Sequence, residues 1–451
     1  MSQITRRGFL KAGGAAGIGA GIGLHHLATG PAILAAAGPG KATPGEKINL
    51  GFIGVAGRGT HHMDWFLKHE DTECAAVCDV YQPHLDAAVK KAEQMKGRNP
   101  KAYTDFRKLL EQDDIDAVCV GTPPHWHPLV TIYACQAGKD VYCEKPMCFS
   151  PIEAAAMVKA ARANHRVTQV GTQIHATGNY HHVVEIVRSG VLGKISRVQC
   201  ALCLNNAPDG IGNQPNTDPP PGLDWDMWCG PAPLIPFNQT IFESGRHRFM
   251  RELIGSWIHE MGPHIVDLPV WAMEMGAPRS ASAQGGKFAT QDISTIPDTL
   301  EATWDYGDFI MTWTNTCASS HGLQFNFGGK GITRRLGISF QGVNGTLLST
   351  YHDQELYIEG ERINPEDVPK PPEHTWASHE REFLDAVKSR EMCSCDVAYH
   401  ARVHAPLNLA NAAYYAGRKL NWDAEKMEVV GDPEGNALVQ PNYRAPWKLP
   451  V

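Results

Sequence analysis

The sequence predicts an α/β protein: a doubly wound parallel sheet in the N-terminal half, then an α+β domain with an open, mostly antiparallel sheet. Three observations predict this. Residues 47–59, KINLGFIGVAGRG, predict a buried strand that turns sharply into a helix. Apolar strands and amphipathic helices then alternate up to residue 170, as in βα units. From residue 171, the strand-like segments alternate in polarity and carry β-branched or aromatic residues.

The glycine-rich turn after the first strand has the spacing of a dinucleotide-binding turn. Gly54 permits the tight turn, and Gly59 lets the helix pack on the strand. The free N–H groups of the helix start can then hold a pyrophosphate, with Gly57 and Arg58 beside it. Ala56 stands where a second glycine is usual, and Gly57 next to it supplies flexibility.

A second apolar run, 73–77, leads to Asp79, twenty residues after Gly59. A carboxylate at this position can bind the ribose hydroxyls and repel a 2′-phosphate. We therefore expect NAD as the cofactor rather than NADP. The alternative is a glycine turn in an α/β protein that binds no dinucleotide.

The rest of the first half predicts further βα units, and polar residues follow the ends of its strands. Because ligands bind at the carboxyl ends of parallel strands, these residues are candidate cofactor contacts. The predicted helices are 83–95, 104–110, 125–138 and 151–164, and the predicted strands are 116–120, 140–143 and 166–170. The candidate contacts at the strand ends are Thr122, Pro123, His125, Glu144, Lys145 and Gln173.

The second half, residues 171–451, predicts a substrate-binding and oligomerisation domain built on a mixed sheet. A loop rich in Pro, Gly and Asn spans 205–222. An open sheet face is otherwise a large exposed patch, so we expect a homo-oligomer. The predicted helices are 180–189, 380–390 and 401–417, and the predicted strands are 299–306, 309–316 and 337–348, with another beginning near 195.

The N-terminus predicts export. Arg6 and Arg7 are followed by a mildly apolar run and small residues at 35–37, so residues 1–37 predict a signal for the twin-arginine export machinery. An uncleaved membrane anchor is the alternative. Residues 38–46 predict a linker, and the first domain begins at residue 47. We therefore expect a periplasmic or otherwise exported protein.

The composition bears on nucleic-acid binding and on disulfide bonds. A net charge of −7 over 451 residues gives no nucleic-acid-binding footprint. Most of the 12 cysteines are expected to be free, because several lie at the ends of apolar strand-like runs. Cys393 and Cys395 are the exception to check, although a bridge over one residue would be strained.

These motifs together resemble the Gfo/Idh/MocA superfamily (glucose–fructose oxidoreductase, inositol dehydrogenase). The resemblance is carried by Gly54 to Gly59, Asp79, Thr122-Pro123 with His125, Glu144-Lys145-Pro146, the run 260–267 and a tail at 443–447 like that of the exported bacterial branch. It implies a Rossmann domain, a Lys145 that touches nicotinamide and substrate, and an acid/base His264 with Asp267. Glu260 stands where the family has aspartate.

The chemistry also follows from the residue types. Removal of a hydride from a carbinol carbon needs a base near the hydroxyl, and a histidine held by a carboxylate is a common one at neutral pH. If Pro263 is the first helical residue, His264 and Asp267 lie on one helix face, and Asp267 can fix the imidazole tautomer. Lys145 can polarise the same oxygen.

Further candidates lie at strand ends or on the loop before residue 260. The candidate substrate contacts are His175, Tyr180, Arg248 and Trp257. A zinc site at His259, Glu260 and His264 is an alternative, but its spacing is off one helix face and hydride transfer with Lys145 needs no metal, so no metal is expected.

Three functions remain open from the sequence. The first is an NAD(P)-dependent oxidoreductase for a hydroxyl carbon of a sugar, polyol or glycoside, with tightly bound cofactor. The second is a redox-neutral NAD-dependent glycosidase, epimerase or lyase that oxidises the sugar ring transiently. The third is a binding protein that holds NAD without turnover. The resemblance favours the first, because the family's NAD-dependent glycosidases lack the lysine that this chain keeps as Lys145.

Overall fold

The structure, a computed structural model, describes residues 47–243, 245–325, 332–363, 367 and 378–450. The predicted signal at 1–37 and the linker at 38–46 lie outside the described residues, so export stays a prediction. Among the helices of the described part, none is long and apolar enough to cross a membrane.

The first half forms a six-stranded parallel sheet in the order β3-β2-β1-β4-β5-β6, as the sequence predicts. The order reverses between β1 and β4, and the carboxyl ends of the strands meet there at one edge. The strands are β1 Ile48–Ile53, β2 Thr72–Cys78, β3 Lys101–Tyr103, β4 Ala117–Val120, β5 Asp140–Cys143 and β6 Thr168–Val170. The helices are α1 Arg58–Leu67, α2 Gln82–Lys96, α3 Phe106–Leu110, α4 His127–Gln136 and α5 Pro151–Ala163.

The local sequence accounts for these elements. Every residue of β4, β5 and β6 is buried, as expected for strands covered by helices on both faces. The Ser150 hydroxyl accepts hydrogen bonds from two amides at the start of α5, and Pro151 occupies the first helical position, where no N–H is needed. The Asp105 side chain caps α3 in the same way.

The second half forms a ten-stranded sheet in which only the pairing of β7 with β10 is parallel among the described strands. This confirms the predicted open, mostly antiparallel sheet. Its strands are β7 Ile195–Cys203, β8 Ser280–Gly286, β9 Thr299–Asp305, β10 Ile310–Thr316, β13 Leu336–Gly342, β14 Gly345–Ser349, β15 Gln354–Ile358, β16 Glu361–Ile363, β17 Leu420–Asp423 and β18 Glu428–Val429, while β11 Leu323–Phe325 and β12 Ile332–Arg334 form a separate pair.

The helices of the second half cover one face of that sheet or extend toward the first. They are α6 Gly178–Arg188, α7 Trp225–Cys229, α8 Gln239–Phe242, α9 Arg251–Ile254, α10 Trp257–Ile265, α11 Asp267–Ala272, α12 His379–Ser389, α13 Val397–Ala416 and α14 Pro433–Leu438.

One strand prediction is wrong: residues 337–348 form two strands, β13 and β14, joined by Val343 and Asn344. Asn344 is a turn-forming residue type, and glycines border the turn on both sides. At Gly345 a side chain has no room, because its Cβ would lie 2.4 Å from the Tyr357 carbonyl oxygen. The alternation of polarity continues through the hairpin, which is why the sequence pattern did not show the turn.

The two faces of the large sheet differ in character. Trp304 of β9 and Trp313 of β10 are fully buried on the inner face, in a core shared with α10, α11 and α13. The outward positions of the same strands are mostly threonine or charged residues, such as Glu301 and Thr314, which are hydrogen bonded to each other. Whether this face contacts a second copy stays a prediction.

The core of the first sheet extends past the predicted boundary at residue 170. Phe383 of α12 is fully buried and packs edge-on against Phe66 and Tyr142, with ring centroids 5.9 and 5.8 Å away. The carbonyl of Cys395 also accepts a hydrogen bond from the Val170 amide. The parallel sheet is therefore completed by a segment from the end of the chain.

The twelve cysteines are all buried and free, including Cys393 and Cys395. This confirms that they serve as small apolar residues rather than as a disulfide framework. Burial also raises the pKa of Cys74 and Cys135 to about 12, so neither is a thiolate near neutral pH.

Replacement of Gly59 by alanine should destabilise the fold. The added Cβ would lie 1.8 Å from the Gly54 carbonyl oxygen. Because the clash is with backbone atoms, it can be relieved only by distorting the turn or the helix. We expect a loss of about 3 kcal/mol in the free energy of unfolding, measured by chemical denaturation without added NAD. Gly178→Ala is the matched control, because its Cβ would meet no atom within 4 Å. Equal stability of the two variants would contradict the close approach.

Candidate active site

A cleft of about 560 Å³ opens at the carboxyl ends of the parallel strands. Ligand sites are commonly of this size and position in doubly wound sheets. The first half contributes the glycine turn, Asp79, Thr122, Pro123, Glu144 and Lys145 to its lining, and the second half contributes Trp228, Phe242, His247, Arg248, Glu260 and His264. Both halves of the chain therefore build the site.

The glycine turn fits a pyrophosphate. Gly54 has φ +77°, and a Cβ there would lie 2.6 Å from the Thr122 amide nitrogen. Helix α1 starts at this turn, and no side chain caps its N-terminus. The Gly59 amide donates to the Ala56 carbonyl, while Gly57 and Arg58 at this helix start line the cleft, where an anion could approach the N-terminus.

Asp79 lies where a ribose would sit. Its two carboxylate oxygens accept hydrogen bonds from the amides of Val55 and Tyr81, both at 3.0 Å, so the side chain is fixed against the glycine turn. Three strand spacings separate the end of β2 from the end of β5, which is roughly 14 Å. The residues present thus fit a dinucleotide extended from Asp79 toward Lys145.

A segment of the second half, residues 222–243, which we call the strap, closes over the first half. The Gly222 carbonyl accepts a hydrogen bond from the Gln82 amide at 3.0 Å, and the Asp224 amide donates to the Val80 carbonyl at 3.0 Å. Farther along, the Trp228 carbonyl lies 2.9 Å from His125 Nε2. The strap is therefore attached beside Asp79 and beside the turn after β4.

Aromatic packing and the C-terminal tail hold the strap in shape. Trp225 and Trp228 stack with their ring centroids 4.4 Å apart. Arg444 of the tail binds Asp226 through Nη1 at 2.7 Å and donates its amide to the Pro231 carbonyl. The tail that supported the family resemblance therefore has a structural role at the cleft.

Lys145, Glu260 and Arg248 form the charged centre of the cleft. Lys145 Nζ donates to the Glu260 carboxylate at 2.8 Å and to the Glu260 carbonyl at 3.0 Å. Arg248 Nη1 lies 3.2 Å from the same carboxylate oxygen. Burial opposes ionisation of Glu260, but the two cations outweigh it and hold its pKa at about 2. Glu260 is therefore ionised, and its carboxylate is shared by Lys145 and Arg248.

His264 lines the same cleft but is not held by a carboxylate. Burial, and then the charge of Lys145, lowers its pKa to about 3, so the ring is neutral near pH 7. Its Nδ1 atom is buried without a hydrogen-bond partner. A neutral imidazole in this position can accept a proton from a substrate hydroxyl.

The predicted pairing of His264 with Asp267 is wrong. The Asp267 carboxylate accepts a hydrogen bond from the Tyr399 hydroxyl and lies 3.2 Å from His175 Nε2. Pro263 lies inside α10 rather than at the start of a helix, and α10 ends at Ile265, before Asp267 begins α11. Asp267 therefore faces the interior behind the cleft and joins α11 to α13 and to the 3₁₀ turn at Gln173–Ala176.

Five other candidates do not line the cleft. His125 is turned toward the Trp228 carbonyl, and His127 lines the cleft instead. Gln173 is exposed away from the cleft. Tyr180, His175 and Trp257 are buried in the core of the second half.

The zinc alternative finds no support at its proposed residues. His259, Glu260 and His264 do not form a metal-like cluster, and His259 Nε2 instead lies 2.8 Å from Asn408 Oδ1. Within the described ranges, the group with metal-ligand spacing is His175, Asp267 and Cys395.

Several site residues were not predicted from the sequence. Trp228, Phe242 and His247 reach the cleft from the strap and the turn that follows it. His62 binds Glu144 with a 2.9 Å contact and, after the opposing effect of burial, helps to hold the Glu144 pKa at about 2. For His62 a signal existed, because it lies one helical turn after Arg58 on the helix that starts at the glycine turn.

Comparison with family models matches both halves of the chain. Residues 48–172 match the GFO_IDH_MocA model, described as the oxidoreductase family with an NAD-binding Rossmann fold. Residues 289–449 match the model of the oxidoreductase family C-terminal alpha/beta domain. Together the two models cover more than half of the chain.

Curated relatives match over part of their length. A glycosyl hydrolase family 109 protein of Shewanella baltica is 34% identical over 212 residues, which are 45% of this chain and 46% of the relative. An alpha-N-acetylgalactosaminidase of Shewanella oneidensis is 31% identical over 214 residues, again 45% and 46%. The alignments thus span about half the length of these relatives.

Solved structures share the fold at low identity. The WlbA dehydrogenase of Chromobacterium violaceum, in complex with NADH and UDP-GlcNAcA, has a TM-score of 0.63 at 18% identity and covers 84% of this chain and 97% of its own. Levoglucosan dehydrogenase, in complex with NADH and L-sorbose, has a TM-score of 0.60 at 15% identity, with 83% and 99% covered.

The glycine turn, Asp79 at the second strand and the lysine after the fifth all lie within residues 48–172, which match the family model for an NAD-binding domain. NAD is the cofactor of this domain, as the sequence predicts. The chain belongs to the Gfo/Idh/MocA oxidoreductase family.

Proposed function

We propose that this protein is an NAD-dependent oxidoreductase that transfers a hydride to or from the hydroxyl carbon of a sugar, polyol or glycoside, with the cofactor retained between turnovers. The observation that carries the proposal is the meeting of Lys145, Glu260 and a neutral His264 in the cleft that begins at the glycine turn. An amine, a carboxylate and a free base are the groups that this chemistry needs.

Each of these residues has a role that follows from its contacts. NAD, when bound, supplies the acceptor for the hydride. His264 is neutral and accepts the hydroxyl proton. The Lys145 ammonium donates to the same substrate oxygen and stabilises its negative charge. Glu260 binds Lys145 through two oxygens and so fixes the direction of the remaining donor.

Retention of the cofactor is supported by the strap. Met227, Trp228 and Phe242 of the strap line the cleft together with Asp79 and Lys145, and the strap is bonded to the loop after β2 and to the turn after β4, so it would cover a dinucleotide bound there. Release then requires these contacts to open. Retention at nanomolar affinity corresponds to a free energy of cofactor binding of about −12 kcal/mol.

A redox-neutral reaction is the second candidate, and a specific observation favours it. The curated relatives are named as glycosyl hydrolase family 109 proteins and as an alpha-N-acetylgalactosaminidase. In such a reaction the hydride taken from the sugar ring is returned before product leaves. A retained cofactor is compatible with this reaction. It is equally compatible with a dehydrogenase whose bound NADH is reoxidised by a second substrate.

A binding protein without turnover is the least supported reading. A protein that only holds NAD needs neither an amine clamped in the cleft nor a buried neutral histidine with a free nitrogen. Both features are costly to keep buried, so their presence favours catalysis.

Absorbance at 340 nm separates these candidates. The purified protein, with the cofactor it carries and no external NAD, is mixed in turn with sugars, polyols and aryl glycosides. We expect a lasting rise with one substrate class, equal to the bound cofactor. Product without a lasting rise would replace our proposal with the redox-neutral reaction. Neither product nor rise with any compound would favour the binding protein.

Lys145→Met should remove hydride transfer and leave the cofactor bound. Loss of the ammonium removes the donor to the substrate oxygen, so we expect NADH formation to fall roughly 100-fold or more. Bound NAD, measured after denaturation, should stay near one per chain. Lys159→Met, at an exposed position of α5, is the control with unchanged rate. A variant with undiminished transfer would exclude Lys145 from the chemistry.

The pH dependence tests the neutral state of His264. A group whose pKa is lowered to about 3 is in its base form at all higher pH, and the base form is lost only as the pH falls through that value. We expect kcat/KM for NADH formation, which reports the free enzyme, to stay level from about pH 7 down to about pH 5. An acid limb near the ordinary histidine value of about 6.5, absent in His264→Asn, would contradict this.

A further inference from the structure

Arg248 has donors that no group within the described residues uses. It lies in the turn of 3₁₀ helix that follows the strap, and 39% of its side chain is exposed at the cleft. Its Nη1 contacts Glu260, while its Nε atom is buried with no hydrogen-bond partner. The exposed part of this side chain is open to a ligand that enters the cleft, whereas the buried Nε atom is not.

The position of Arg248 is made possible by a glycine. Gly245 has φ +81°, and a Cβ there would lie 2.8 Å from Arg248 Nη2. Only the missing side chain leaves room for the guanidinium at this place. The local backbone therefore accommodates the arginine beside the catalytic residues rather than excluding it.

The charges at this end of the cleft do not balance. Lys145 and Arg248 both bind Glu260, so two cations share one carboxylate. The neighbouring rings add no compensation, since burial followed by a nearby cation lowers the pKa of both His247 and His264 to about 3 and both are neutral. One positive charge is in excess where the substrate binds, and such a cleft attracts an anion.

The other charges of the cleft are committed elsewhere. Arg58 lies at the helix start that faces the pyrophosphate, and it is also 3.8 Å from Glu144. Glu144 is bound by His62, and Asp79 by the amides of the glycine turn. Glu144 also attracts Lys145, but Arg58, Lys145 and Arg248 together still exceed Glu144 and Glu260 by one positive charge.

We propose that Arg248 binds a carboxylate of the substrate, so that the sugar acted on is acidic, a uronic acid or a uronide. This inference rests on the proposed function and names its substrate class. A guanidinium matches a carboxylate in shape and charge, and charge-assisted bonds of this kind are stronger than neutral ones. Lys145 then meets the reacting hydroxyl while Arg248 holds the acid group of the same ring.

Binding of matched pairs of sugars tests the assignment without requiring turnover. The probes are methyl α- and β-glucosides and galactosides and the corresponding uronides. Each is titrated calorimetrically into the protein with its bound cofactor. We expect at least one uronide to bind about tenfold or more tightly than its neutral partner, and added sodium chloride to weaken only the uronide.

Variants at position 248 complete the test. Arg248→Gln should reduce the affinity ratio of the uronide to its neutral partner to about one. Arg248→Lys should keep part of this ratio, because the charge remains but the paired N–H donors of the guanidinium are lost. Arg246→Gln, at an exposed arginine of the same helical turn, is the control with unchanged preference. Thermal melting and bound NAD confirm that the variants are folded.

The outcomes are distinct from those that test the reaction. No uronide preferred over its neutral partner, or a preference that survives in Arg248→Gln, overturns the assignment even where hydride transfer occurs. A preference that Arg248→Gln removes supports it, even if no absorbance change follows and the proposed reaction fails.

Discussion

The cleft depends on one ion pair between the two halves of the chain, Lys145 with Glu260. Lys145 follows the fifth strand of the parallel sheet, and Glu260 lies on α10 of the second half. Both side chains are nearly buried, at 10% and 5% exposure. Loss of Glu260 would leave the buried Lys145 uncompensated, at a cost of about 3–5 kcal/mol, whereas loss of Lys145 leaves Glu260 bound to Arg248. The pair therefore joins the two halves at the cleft, as Arg381 with Asp71 and Arg390 with Asp140 do elsewhere, and it fixes where the Lys145 amine points.

The strap makes the cofactor part of that docking. Residues 222–243 belong to the second half by sequence, yet their backbone bonds go to the loops after β2 and β4 of the first. The tail residue Arg444 holds them from outside. The proposed retention of the cofactor rests on this cover, because its contacts would have to open together for release. Chemistry at a retained cofactor has to end with the hydride returned or passed to a second substrate, so the strap constrains the reaction as much as the side chains do.

What the sequence predicted was local in the chain. The glycine turn, Asp79 and Lys145 follow strands whose pattern is visible in a few residues, and all of them line the cleft. Pairings over long separations were not visible: Asp267 binds Tyr399, 132 residues away, rather than the nearby His264. The strap at 222–243 follows the predicted loop at 205–222, and no local pattern showed that it would reach the cleft. An alternating pattern of polar and apolar residues indicates a strand but does not show where a turn interrupts it. Residues 337–348 were therefore predicted as one strand.

A substrate carboxylate bound to Arg248, as proposed, would change the basicity of His264. In the free protein, burial and the charge of Lys145 keep the pKa of His264 at about 3, which makes the ring a weak proton acceptor. Catalysis by a base is most effective when its pKa lies near the working pH. A negative charge brought close to His264 favours its protonated form and raises that pKa. An acidic substrate on Arg248 would therefore strengthen the base that reacts with it, whereas a neutral sugar would leave His264 weak.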